Sequence, residues 1–287
     1  MKTQVYLVKA FSNDNDFGNP AGVVHDSSNL SDEQMLSIAQ ILGFSESAFV
    51  QTSDKADFRV RFFASKEEVD FCGHATVATF YSLIEQGTIK LDDKESVEVS
   101  QETNIGVLPV ICHKDGKIMM AQNNPEFGFI EDDRAMIATL LGLEVSELSD
   151  YPIQVVSTGA KKMIIPVESL AFLRKIKPNF EGISSYCNEK DIKGLSVFTS
   201  EAVNSGSDLS TRAFNPLVGI DEDSATGIAA GPLACYADKY IFEDGKKELV
   251  IDQGFDMGMK SIIYVDITNG VLVGGYGASF GEQIINV

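Results

Sequence analysis

The chain has no tryptophan, three histidines (His25, His74, His113), four cysteines and eight prolines among its 287 residues. Each scarcity excludes something. No two histidines stand at ligand spacing, so a zinc site is not expected. Cys72, Cys112, Cys187 and Cys235 are scattered without CxxC spacing and read as reduced thiols of a cytoplasmic protein, not a disulfide framework. No apolar run approaches the roughly 20 residues that a membrane helix needs. The run near the first residue is also too short for a signal peptide. Basic residues are few, 23 against 42 acidic ones, for a formal charge of −19. Nucleic-acid backbones and anionic membranes need a basic patch, so neither is an expected partner.

What is present is a sentence written twice. Arg61-Phe-Phe leads through Val69-Asp-Phe-Cys-Gly-His-Ala-Thr, a strand that breaks at a Gly-His turn and enters an apolar helix. Arg212-Ala-Phe-Asn-Pro leads to Glu222-Asp-Ser-Ala-Thr-Gly and a second small-residue helix. Arg61 and Gly73 are 12 positions apart, whereas Arg212 and Gly227 are 15 apart. The length suits two domains, and a repeated supersecondary unit makes them alike.

Gln4 to Phe11 reads as a first strand, followed by a polar turn over Asn13 to Asn19. Ser31 and Gln34 form a capping box for a helix with Met35, Ile38, Ala39 and Leu42 on one face, closed by Gly43. Asp57 to Phe63 alternates Phe58, Val60 and Phe62 with Arg59 and Arg61, the period of a half-buried strand. Ala75 to Glu85 is apolar almost all round, which requires surroundings that cover it, such as a sheet wrapped about it. Val97 to Gln122 reads as antiparallel strands that turn at Asp115-Gly116. The second half repeats the order. Helices are expected over Asp132 to Leu141, near Ser169 to Ile176 and over Ala225 to Tyr240. Strands are expected at 153–157, 162–167, 195–199 and 209–214, and β-rich segments from Leu249 to Val287. The boundary between halves falls near 115–125.

Both turns put a glycine where a strand stops and a helix starts. The first helical N–H groups lack intrahelical partners and carry partial positive charge, which suits a carboxylate or a developing anion. Ordinary capping by side chains or solvent is the alternative. Titratable groups gather here: Glu46 between Ser45 and Ser47, Asp70 and His74 on either side of Cys72, and Asp221, Glu222 and Asp223 before the second turn. Acidic residues at helix starts also serve as caps. Cys72 admits two readings, a thiol activated by a helix N-terminus or a small buried hydrophobe.

The pieces Phe17-Gly-Asn-Pro-Ala-Gly-Val, Ser45-Glu-Ser-Ala-Phe-Val, Arg61-Phe-Phe, Val69-Asp-Phe-Cys-Gly-His-Ala-Thr, Ser157-Thr-Gly and Glu222-Asp-Ser-Ala-Thr-Gly, with Gln253-Gly and Met257-Gly, resemble the phenazine-biosynthesis (PhzF-like) isomerase family of the diaminopimelate epimerase fold. They span nearly the whole chain in family order. The resemblance implies an α+β fold of two similar domains, each a curled mixed or antiparallel sheet around one central apolar helix, with the active site between them. Their expected bounds are 1–118 together with about 271–287, and 119–270. It also implies a homodimer acting on a small carboxylate without a metal or organic cofactor. In the phenazine enzyme type a glutamate matching Glu46 takes a proton from C3 of a dihydro-hydroxyanthranilate, and the proton returns at C1. Residues matching His74 and Asp223 assist. Gly73, Gly227, Ile228, Asn19, Ser45 and Thr158 are expected to surround the substrate. For this work Glu46 is expected in a desolvated cleft with its pKa raised toward neutrality.

Two departures bear on the substrate. Ile228 follows Ala-Thr-Gly where the family usually has Ser, and Ser224 stands where it usually has Pro. Ile228 offers no side-chain hydrogen bond and is expected to dry or shrink the pocket. Three rival readings are weighed. An epimerase of this fold uses one cysteine from each turn, but Thr226 stands at the second position. A Cys72/His74 hydrolase needs the two side chains to meet and a third group to orient them, and neighbouring positions on a turn do not guarantee this. A non-catalytic carboxylate binder has no need of Glu46, His74 and Asp223 together.

Overall fold

A computed structural model describes residues 2–12, 17–242 and 245–287, so residues 13–16 of the expected polar turn lie outside the described residues. The chain forms two compact units, Met1–Ala121 with Gly274–Val287, and Gln122–Val273.

In chain order, the first stretch contains β1 (Lys2–Ala10), β2 (Asn19–Val24), α1 (Asp32–Leu42), β3 (Glu46–Gln51), β4 (Phe58–Ala64), β5 (Glu68–Val69), α2 (Gly73–Glu85), β6 (Ser96–Thr103), β7 (Gly106–His113) and β8 (Lys117–Gln122). Then come β9 (Glu126–Ile130), α3 (Arg134–Leu141), β10 (Gln154–Ser157), β11 (Lys161–Pro166), α4 (Leu170–Lys175), α5 (Phe180–Glu189), β12 (Leu195–Thr199) and β13 (Leu209–Asn215). The last are β14 (Ile220–Asp223), α6 (Gly227–Tyr240), β15 (Glu248–Gln253), β16 (Ser261–Asp266) and β17 (Val271–Asn286). The fold is mixed α/β, rich in strands and with few helices.

In the first unit the pairings run in a closed cycle. β17 lies antiparallel to β1, β1 to β2, β3 to β4, β6 to β7 and β7 to β8, while β2–β3 and β4–β6 are parallel. β8 pairs with β17 and closes the cycle. Gly274 shows how near these two strands come. A Cβ built there would lie 1.8 Å from the Ile118 carbonyl oxygen, so no larger residue fits.

α2 packs on β1, β2 and β3. Every residue from His74 to Phe80 is buried, which is two turns without an open face. The all-round apolar composition therefore follows from its surroundings. Its interior hydroxyls turn inward, with Thr76 and Thr79 donating to Cys72 and Ala75 carbonyls at 2.8 and 2.7 Å. Ser82 meets His25 Nε2 at 2.8 Å, and the His25 ring stacks on Tyr6. α1 forms as its sequence specifies. Ser31 and Gln34 make a reciprocal capping box, and Gly43 ends the helix with φ 66°, the left-handed region that glycine enters at least cost.

In the second unit, β9 pairs with β10, β10 with β11, β12 with β13 and β15 with β16, all antiparallel, while β11–β12 and β13–β15 are parallel. α6 packs on β10, β11 and β16. Its residues from Ala229 to Ala237 are all buried. α5 and β9 were not anticipated. α5 is capped by Asn179 and buries Ile183, Tyr186 and Cys187.

The repeated sentence has one physical core. In the first unit Arg61 Nε and Nη2 grip Glu68 at 2.8 and 2.6 Å, and the guanidinium lies 5.2 Å over Phe63. In the second Arg212 Nε and Nη2 grip Glu222 at 2.8 and 2.7 Å, over Phe214 at 5.1 Å. Each fork ties a strand to its short returning partner, β4 to β5 and β13 to β14. The Arg–Glu separation is 7 residues in one hairpin and 10 in the other. From the glutamate to the turn glycine the count is five in both. The mismatch of three thus lies wholly in the second hairpin, where Pro216–Val218 form a 3-10 turn. The Arg61 fork also holds the Glu68 carboxyl below its ordinary pKa.

The Arg212–Glu222 pair is mostly withdrawn from water, with side-chain exposures of 12% and 15%. Glu222→Gln leaves a half-buried guanidinium without its counter-charge and is expected to cost about 3 kcal/mol in urea unfolding. Asp191→Asn, which breaks the exposed Lys161–Asp191 pair, is expected to cost less than about 1 kcal/mol. Equal losses would refute the fork's role.

Candidate active site

In the first unit Glu46 opens β3 opposite Ala64 of β4. Its side chain is 16% exposed, and Oε2 lies 3.6 Å from His74 Nε2. Ser45 Oγ lies 3.4 Å from the same nitrogen. The other ring nitrogen, Nδ1, is 3.3 Å from Cys72 Sγ. Cys72 still has extended backbone angles, φ −141° and ψ 116°, while the helix begins at Gly73. The bend between them turns the thiol and the imidazole toward each other. Neighbouring positions on a turn do not guarantee that contact, but here the two side chains do meet, and Glu46 stands on the far side of the ring.

Glu46, Cys72 and His74 present ligand-type atoms within 4.8 Å of one another. Sulfur and carboxylate, however, approach opposite nitrogens of one ring. A metal ion would need a single imidazole nitrogen facing both other ligands. The row thiol–imidazole–carboxylate instead suits proton transfer, with His74 accepting at one nitrogen and donating at the other.

The same turn in the second unit holds a different network. Asp223 ends β14 and accepts from Thr226 Oγ1 at 2.7 Å and from the Ala225 N–H at 3.3 Å. Gln253 of β15, 2% exposed, donates to the Asp223 carbonyl at 2.7 Å and to Thr226 Oγ1 at 3.0 Å, and accepts from the Thr226 N–H at 3.1 Å. Lys162 is buried nearby, bonded to Asn215 Oδ1 at 2.5 Å and the Lys193 carbonyl at 3.3 Å. Burial lowers its pKa to about 8, opposed by the Asp223 charge. Counting from the shared glycine, Cys72, Gly73 and His74 correspond to Thr226, Gly227 and Ile228.

The structure brings Ser45 and Glu46 to His74, which follows Gly73 at the start of α2, while in the second unit Asp223 bonds Thr226, the residue that precedes Gly227 and Ile228. Asn19 opens β2 opposite Ala10, and β2 runs beside β3. Thr158 is 2% exposed and its hydroxyl donates to Gln122, which in turn donates to the Gly227 carbonyl. It braces the start of α6. Ile228 is 40% exposed in the first turn of α6. Sequence reasoning left Gln253 and Lys162 without roles. No local signal marks a buried amide or ammonium whose partners come from distant strands.

A family profile described as "Phenazine biosynthesis-like protein" matches residues 8–280. An uncharacterized isomerase of Clostridium acetobutylicum is 36% identical, over 93% of this chain and 90% of its own length. Trans-2,3-dihydro-3-hydroxyanthranilate isomerase of Pseudomonas aeruginosa is 30% identical over 96% of each chain. Among solved structures, the Bacillus anthracis phenazine biosynthesis protein of the PhzF family superposes with a TM-score of 0.88 and 31% identity, covering all of both chains.

Thr226→Val removes a hydroxyl that serves Asp223 and Gln253 together. The expected loss is about 1–3 kcal/mol in urea unfolding, with Thr226→Ser recovering most of it. A neutral Thr226→Val would mean that the network does not hold this turn.

Proposed function

The chain belongs to the phenazine biosynthesis-like family, and from that membership we propose that it is a cofactor-independent isomerase that moves a proton on a small cyclic or amino carboxylate. The observation that carries this reading is Glu46 Oε2 beside His74 Nε2 in a largely buried setting. Glu46 takes a proton from a carbon of the substrate, the electron pair spreads into an adjoining unsaturated system, and the proton returns at another carbon. The hydrogen count and oxidation level of the substrate do not change. His74 answers the changing charge on Glu46, since its far nitrogen has its own partner in Cys72. The N–H groups at the start of α2 suit a substrate carboxylate. Asp223 is assigned a part in holding the substrate.

The finer reading of the fold belongs here as well. The two units are two copies of one domain, each a curled sheet about an apolar helix, and the paired Arg–Glu forks support it. A homodimer in the cytoplasm completes the proposal.

Ile228 directs the choice of substrate. Its exposed side chain favours a ligand that is less polar at that end than one bound by a serine hydroxyl. An epimerase working with two thiols is disfavoured, because a threonine hydroxyl at the second turn does not ionise in the range a thiol does, and here it donates to Asp223.

The reading is tested by incubation in deuterium oxide with dihydro-hydroxyanthranilate and a panel of cyclic and amino carboxylates, followed by NMR. Isomerisation or deuterium uptake is expected with at least one of them, falling about 10²–10⁴-fold in Glu46→Gln. Exchange that survives in Glu46→Gln and vanishes in Cys72→Ala would move the chemistry to the thiol. Ligand-dependent thermal shifts without any exchange would make the protein a binder.

A further inference from the structure

We propose that Cys72 is a modifiable thiol, which small soft electrophiles alkylate and peroxide oxidises to the sulfenic acid ahead of the other three cysteines. The sulfur is one end of a row of three ionisable groups. Its proton acceptor, His74 Nδ1, lies 3.3 Å away, and the opposite nitrogen faces Glu46 at 3.6 Å. A carboxylate on the far side stabilises the imidazolium, and the imidazolium stabilises the thiolate. Cys72 is also the residue that precedes the first turn of α2, a helix of 13 residues, and its side chain makes no capping bond there. The partial positive charge of that helix end adds to the same effect.

The remaining cysteines lack this setting. Cys112 and Cys187 are fully enclosed, and Cys235 lies on the buried length of α6. Burial pushes Cys112 up to about 12 and both Cys187 and Cys235 up to about 11. Cys72 is tightly packed too, at 9% exposure, which restricts the reagent to small molecules.

Both reactions balance without a further reactant. With iodoacetamide an S–C bond forms, the C–I bond breaks, iodide leaves and the thiol proton passes to His74 and on to solvent. With hydrogen peroxide an S–O bond forms and the O–O bond breaks. Sulfur gives up two electrons, and the departing hydroxide takes the proton from His74 as water. The thiolate is the reacting form, so a neighbour that holds the sulfur in that form speeds both reactions, while the more stabilised thiolate is the weaker nucleophile and returns part of the gain. This inference is independent of the reaction proposed above, because it concerns the sulfur itself.

The test is a time course of the folded, reduced protein at pH 7 with limiting iodoacetamide, read by intact mass and peptide mapping. A parallel series uses hydrogen peroxide with a sulfenic-acid trap. A single early adduct on Cys72 is expected in both, absent in Cys72→Ser. His74→Gln is expected to slow alkylation about threefold or more, with Glu46→Gln slowing it in the same direction should the histidine variant fail to fold. Early labelling at Cys235, equal labelling of all four thiols, or Cys72 adducts that form only in urea would overturn the proposal. So would unchanged rates in folded His74→Gln or folded Glu46→Gln.

Discussion

The two Arg–Glu forks are the constraint on which both turns depend. A strand that must deliver a helix start to a fixed place needs its returning partner held in register, and β5 and β14 are too short to be held by backbone pairing alone. The bidentate fork supplies that hold, with an aromatic face beneath the cation. In the first unit a third donor of Arg61 reaches Asp32 in the first turn of α1 at 2.7 Å. In the second, Arg212 spends it on the Leu173 and Ile176 carbonyls at the end of α4. One fork thus organises strand, hairpin and a neighbouring helix, and the turn beyond it inherits that placement.

The turns share a backbone and differ in chemistry. At the first, a thiol, an imidazole and a carboxylate stand in a row, each able to exchange a proton with the next. At the second, the corresponding places hold a threonine and an isoleucine. The hydroxyl is absorbed by Asp223 and Gln253, and the isoleucine is exposed. The first turn thus keeps three proton-exchanging side chains in contact, and the second keeps a hydroxyl, an amide and a carboxylate bonded to one another.

Much of this was legible where local rules decide the structure. Ser31, Gln34 and Gly43 specify α1 almost alone, and the polarity of α2 states that it is enclosed. The repeated Arg-to-Gly pattern was legible too, and its unequal spacing comes from the 3-10 turn at Pro216–Val218. α5 was missed because Gly182, Ser184, Ser185 and Asn188 are poor helix formers, and packing on Ile183, Tyr186 and Cys187 overrides them. The Cys72–His74 contact was missed because it depends on the bend between an extended residue and a helical one. Thr158 reads as a binding residue in sequence, yet its hydroxyl is committed to Gln122. Such commitments are set by tertiary contacts.

The cyclic pairing of the first unit also fixes an order of events during synthesis. β1 lies between β2 and β17, and these neighbours are separated by most of the chain. At about 5–20 residues per second, β1 waits on the order of 15–50 s after it is made before its second neighbour exists. The second unit is one continuous segment, Gln122–Val273, and all of it leaves the ribosome before Gly274–Val287 does. The half that begins first is therefore finished last. In that interval the unpaired edges of β1 and β8 are where chaperones or aggregation compete with the native partner.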